Sequence, residues 1–226
     1  MATATNAQIL LLSQWLSPAY PVGAFAYSHG LEAAVDQGWV RDGRDLQDWL
    51  EDLLEHGAGR ADALLLAAAW HAETRETLIE TDTTACAFAA SKERLFETCQ
   101  QGGSFSRVTQ AIWGGELTNL PGPTNPTGLT YPVALGAAAA AEALPLDLTL
   151  SMYLQAFVSN LIAAGQRLLP VGQTAGQEIL HRLALRLPEI AAQSADGDLT
   201  RLSATAFLGD IAAMKHETQR SRIFRT

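Results

Sequence analysis

Apolar residues recur at helical spacing along almost the whole chain. Ile9, Leu12 and Leu16 share one face, and Pro18 ends that first helix. A loop, SPAYPVGAF, runs from Ser17 to Phe25. Beyond it Ser28 is placed to cap a short helix through Gln37, with Gly38 at its C-terminal end. Leu46, Trp49, Leu50, Leu53 and Leu54 fall at i, i+3, i+4, i+7 and i+8, the stripe of an amphipathic helix opened by Asp45. Its other side carries Glu51, Asp52 and Glu55, a solvated acidic face rather than a catalytic carboxylate pair. A helix of alanine and leucine spans about Ala61 to Glu73, and two or three more fill Thr77 to Leu117.

Asn119 to Thr130, NLPGPTNPTGLT, holds three prolines and two glycines and cannot continue a helix, which predicts a linker near the middle of the chain. After it, Pro132 to Ala143 and Leu148 to Gln166 are so poor in charge that other helices or a second subunit must cover them. Leu148 to Gln166 is nineteen residues without a formal charge, yet Ser151, Gln155 and Ser159, with Asn160 beside them, form a polar stripe that lipid would penalise. It reads as a buried helix, not a membrane span. Pro170 and Pro188 bracket a helix from Gln173 to Leu187, and a polar loop, SADGD, precedes a last one from about Thr200 to Met214. No internal repeat of fixed period is present. The pattern predicts an all-α, single-domain bundle of about ten helices over residues 1–214, its second half forming the core, and a short tail over residues 215–226.

Composition excludes a mainly β fold, because 39 Ala and 33 Leu stand against 7 Val and 8 Ile. A chain of 226 residues buries enough surface to fold without a metal or disulfide staple. The net charge of −9 argues against a general nucleic-acid binder. The segment from Lys215 to Thr226 carries net +3, leaving −12 for the rest, and a basic tail on an acidic body points to a partner of its own. The N-terminal MATATNAQILLL lacks the basic flank of a signal peptide, which predicts a cytoplasmic protein.

Motifs for chemistry are missing. VGQTAG at 171–176 lacks the lysine and the lead-in strand of a phosphate loop, and no HExxH, CxxC or HxH occurs. Cys86 and Cys99 match no zinc or redox spacing and read as half-buried thiols. His29, His56, His71, His181 and His216 stand singly and read as surface or capping residues. Ser28 beside His29 reads as a cap followed by a helical residue rather than a nucleophile and its base, since neighbours on a helix point about 100° apart.

Three segments carry the reading past a generic helical domain. LSPAYPVGAFAYSHGLEAAVDQGWV, Leu16 to Val40, joins a Pro-x-x-Pro-x-Gly loop to a Gly-Leu-Glu helix start and a Gly-Trp exit. RLLPVGQTAGQEIL runs from Arg167 to Leu180, and KHETQRSRIFRT closes the sequence. In this order and at these separations they resemble urease accessory protein F, the UreF family of nickel-urease maturation factors. KERLFETCQQGGSF, Lys92 to Phe105, resembles a fourth, looser family segment. The clear matches cover about a quarter of the chain. It departs from the family at Ala24 and Phe25, where members often carry Gly or Ser followed by an aromatic that can be Tyr, and at Thr226, where the last residue is often Ser.

The resemblance implies an all-helical protein that is not an enzyme and has no cofactor or metal ligand to assign. It implies a homodimer that binds a UreD-type accessory protein (UreH in some bacteria), recruits a UreG-type GTPase and so directs nickel into apo-urease, with no role for nucleic acid or membrane. The family's tail orders on the UreD-type partner, which carries over here to Arg220, Arg222, Ile223, Phe224 and Arg225. Arg and aromatic residues are also the types enriched at interface hot spots. In the loop, Pro18, Pro21 and Gly23 shape a tight connection that displays Tyr20 and Phe25, either as packing or as a partner contact, and Glu32 follows in the helix start. Pro170 and Gly172 break a helix, and Gln173 and Gln177 share a face of the next, either as a capped kink or as a contact with the GTPase or the nickel route. Two other readings stay open on residues alone: a generic helical adaptor unrelated to urease, and a stand-alone helical enzyme.

Overall fold

The computed structural model describes residues 4–114 and 128–226, and the proline-rich segment predicted as a linker lies outside them up to residue 127. The described residues hold eleven α-helices and no strand. They are α1 (Asn6–Trp15), α2 (Leu31–Asp36), α3 (Gly43–His56), α4 (Ala58–His71), α5 (Arg75–Phe88) and α6 (Lys92–Trp113), then α7 (Tyr131–Ala141), α8 (Leu146–Leu168), α9 (Gln173–Ala184), α10 (Leu187–Ser194) and α11 (Phe207–His216). The all-α bundle is thus observed as one domain.

The core is shared between the halves of the chain rather than held by the second. Helix α4 of the first half lies against α7 and α8 of the second, and α6 flanks α7 on another side. Small residues make this approach possible: Ala63, Ala67 and Ala69 of α4 and Val133 to Ala139 of α7 are all buried. At Gly136 a Cβ would lie 2.3 Å from the Leu66 carbonyl oxygen. Gly136→Ala is therefore expected to force the two helices apart at a cost of about 1–3 kcal/mol, read as a lower urea midpoint. Helix α8 is long and apolar enough to cross a membrane by length and composition, but it packs on α3, α4, α9 and α10.

Several boundaries differ from those predicted, each for a local reason. Asp42, not Asp45, caps α3, its carboxylate accepting the N–H groups of Arg44 and Asp45 at 2.9 and 3.0 Å. Pro188 does not end a helix but sits in the first turn of α10, where its missing N–H is not needed. The last helix starts at Phe207, and a single 3₁₀ turn occupies Leu199–Arg201. Helix α7 begins on Thr130, whose N–H and hydroxyl both donate at 2.7 Å to Asp82 of α5. Burial pushes Asp82 above the usual carboxylate range despite these two donors.

Two contacts hold the loop between α1 and α2 and the start of α2 in place. Trp15 of α1 packs edge-on against Phe105 and Trp113 of α6, both at 5.5 Å, which fixes the loop that follows. Gly30 adopts φ +78, and a Cβ there would lie 2.6 Å from the Ala213 backbone, so the start of α2 presses directly on α11.

Candidate functional site

The three segments singled out in the sequence do not all meet, but the first and the last do. Residues 222–226 lie along the loop before α2 and the N-terminal end of α6. Arg225 N–H donates to the Ala26 carbonyl at 2.8 Å, and the N–H and hydroxyl of Ser28 donate to the main-chain oxygen of Thr226 at 2.7 and 2.6 Å. Glu32, buried at the start of α2, accepts the N–H of Ile223 at 2.6 Å and of Phe224 at 2.9 Å. Ser28 thus binds the tail while also receiving the Glu32 N–H at 3.3 Å, but the N-cap of the helix it was predicted to cap is Gly30, two residues further on.

Aromatic residues divide by role. Phe224 is only 4 % exposed and lies under the Arg167 guanidinium, 4.4 Å from its ring centroid. The same Arg167, first residue of the second segment, donates to the Phe25 carbonyl at 2.9 Å. Phe25 itself is 68 % exposed and Ile223 62 %. Tyr20, expected on display, is instead buried, its hydroxyl 2.8 Å from Thr109 of α6 and its ring against Phe105. Gly23 takes φ +75 and Pro21 is exposed in the same loop.

The second segment beyond Arg167 is placed elsewhere. Gly172 opens α9 on α8, with the Gln166 amide donating to its carbonyl at 3.3 Å, and Pro170, Gln173 and Gln177 are exposed without a contact to the tail. They remain candidates on motif alone.

Beneath the tail lies a buried ionic cluster that the sequence did not reveal. Glu97 of α6, 1 % exposed, accepts from His29 Nε2 at 2.8 Å and Gln101 at 2.9 Å on one oxygen, and from Arg94 and the Thr226 hydroxyl on the other. Burial alone would raise this carboxyl, but the Arg94 and His29 charges with the His29 and Thr226 hydrogen bonds outweigh it and hold it at about 2. A second histidine, His216 at the end of α11, is wholly buried with Nδ1 2.6 Å from Glu93 and Nε2 3.1 Å from Glu32. Arg222 completes this side by donating to Glu93. Two of the five histidines are therefore interior, and His29 is not helical, its φ of 54° turning the chain into Gly30.

A depressed carboxyl stabilises the fold above its unfolded value and stops doing so once protonated. The contribution of Glu97 is present above about pH 4.5 and is lost as pH falls through about 2. Acid titration of stability is expected to be steeper for the parent protein than for Glu97→Gln in that window. Equal slopes in denaturant melts at pH 5, 4 and 3 would contradict the assignment.

Glu97 and His29 also form the inner wall of a cavity of about 580 Å³ between the loop and α8. Met152, Gln155, Ser159 and Asn160 supply the α8 side, and Tyr131 and Tyr153 the depth. Tyr153 donates to Asp62 at 2.8 Å, and burial raises both groups above their ordinary values. Among the described residues no group of three His, Cys, Asp or Glu side chains is placed to hold a metal ion. Phe25, Ile223 and Arg220 are exposed, and Arg222 is partly so while it holds Glu93.

The UreF family model matches residues 40–184. Urease accessory protein UreF of a Ruegeria strain is 56 % identical over 222 residues, covering 98 % of this chain and all of the relative. The protein of the same name from Ruegeria pomeroyi is 50 % identical over 226 residues, covering both chains entirely, and that of Methylobacterium radiotolerans is 44 % identical over 235 residues, again with full coverage. By this coverage the chain belongs to the UreF family of urease accessory proteins, and its work lies in urease maturation.

Proposed function

We propose that the chain is a cytoplasmic, non-enzymatic scaffold that binds a UreD-type accessory protein, recruits a UreG-type GTPase and thereby directs nickel into apo-urease. The observation that carries this reading is the junction of loop and tail. A tail too poor in apolar side chains to fold alone is held in one shape against the loop and Glu32, with Ile223 of the tail and Phe25 of the loop both exposed. Arg225 and Phe224 serve by fixing that shape. Such a scaffold works by linkage, favouring one state of the GTPase through tighter binding to it.

A homodimer fits the charge-poor face of α8, where Gln155 and Ala163 are exposed and Met152, Ala156 and Ser159 half-buried beside the loop. A second copy laid there would cover the face without desolvating a formal charge.

Phe25→Ala separates display from packing. With the ring exposed, melting is expected within about 0.5 kcal/mol of the parent, while capture of the GTPase by the scaffold and its UreD-type partner falls at least tenfold. A lowered melting temperature with normal capture would assign the ring to packing.

A further inference from the structure

The cavity between the loop and α8, about 580 Å³, has the size of a small-molecule site. The rings of Tyr20, Phe25, Tyr131, Tyr153 and Phe157 line it, and Asp62 of α4 stands among them. We propose that this cavity binds a small organic cation, with an ammonium or amidinium group on Asp62 and an apolar body against the rings.

The charges of the lining decide the sign of the ligand. Arg94 and His29, its two basic residues, both turn to Glu97, whose oxygens also take Gln101 and Thr226. An anionic ligand would find neither base free. Asp62 is different: it accepts one hydrogen bond, from the Tyr153 hydroxyl at 2.8 Å, and among the described residues no Lys, Arg or His forms an ion pair with it. Burial keeps this carboxyl above its usual range, and neither the Arg94 charge nor the Tyr153 hydroxyl offsets that. A buried carboxylate short of partners is completed by a cation that brings its own N–H donors. The rings select the same class of ligand. Tyr131 and Tyr153 stand 5.8 Å apart with their planes tilted by 50°, and Phe157 is perpendicular to His29 at 5.0 Å. Aromatic faces attract a cation and cover an apolar body. On the α8 side Ala156 and Ala163 are small and leave space for that body.

The test titrates benzamidinium chloride into the full-length protein by calorimetry, with benzyl alcohol and benzoate as its neutral and anionic counterparts. Benzamidinium is expected to saturate one site per chain and to bind at least about tenfold tighter than either counterpart. Asp62→Asn keeps an acceptor for the Tyr153 hydroxyl and the shape of the cavity. It is expected to weaken benzamidinium at least about tenfold and to leave benzyl alcohol unchanged. Benzamidinium that does not saturate, that binds no tighter than benzyl alcohol, or that binds Asp62→Asn as well as the parent overturns the proposal. Should Asp62→Asn fail to fold, Ala156→Trp, which fills the cavity from α8, is put through the same titration. Loss of benzamidinium binding is expected there, and undiminished binding overturns the proposal in the same way.

Discussion

Replacing Glu97 with alanine is expected to lower the stability of the folded chain by about 3–5 kcal/mol. The size follows from what stays behind. Arg94 and His29 lose the carboxylate that faces them in the interior, and Gln101 and Thr226 lose an acceptor. A domain of this length shifts by roughly 2–4 °C per kcal/mol, so the melting temperature should fall by about 6–20 °C. Glu97→Gln keeps the shape and one acceptor and should lose less. A fall below about 1 kcal/mol for the alanine variant would mean that water already reaches the cluster.

Deleting residues 217–226 is expected to have two effects at once. Co-purification with the UreD-type protein should be abolished, and the truncated body should also melt earlier, because Ser28, Glu32 and Glu97 each lose a partner. This differs from what a basic, polar terminus suggests on composition, where removal would leave the body untouched. Ile223→Asp separates the two effects. Its side chain is exposed while its N–H still donates to Glu32, so folding should hold within about 0.5 kcal/mol. Binding should weaken by at least about 2 kcal/mol, roughly 30-fold, as expected for an interface hot spot. Undiminished binding by Ile223→Asp would remove this face of the tail from the interface.

Helices with a strong one-sided pattern were readable from the residues, as α3 with its Leu46 to Leu54 stripe, and so was the burial of α8 despite its apolar length. Helix α10 was not, because Pro188 is compatible with either ending one helix or opening the next, and the sequence does not say which. The loop and the tail were each legible as segments. Their meeting was not, since Glu32 and Phe224 are 192 residues apart and nothing in local spacing brings them together. The interior histidines were hidden for the same reason. A single His in a helix or loop has the same local signature whether it faces water, as His181 does, or two carboxylates, as His216 does. The one hint was Lys92 to Phe105, the looser family segment, which contains Glu93, Arg94, Glu97 and Gln101 of the cluster.

A scaffold whose loop and tail form one docking end is tested most directly by co-expression with the UreD-type and UreG-type proteins of the same organism. Mass is then determined on the size-exclusion peak for the parent, Phe25→Ala and Ile223→Asp. One complex containing all three proteins is expected for the parent, with the GTPase missing for Phe25→Ala and the UreD-type protein missing for Ile223→Asp. A parent chain that elutes without either partner, or three chains that give the same complex, would contradict it.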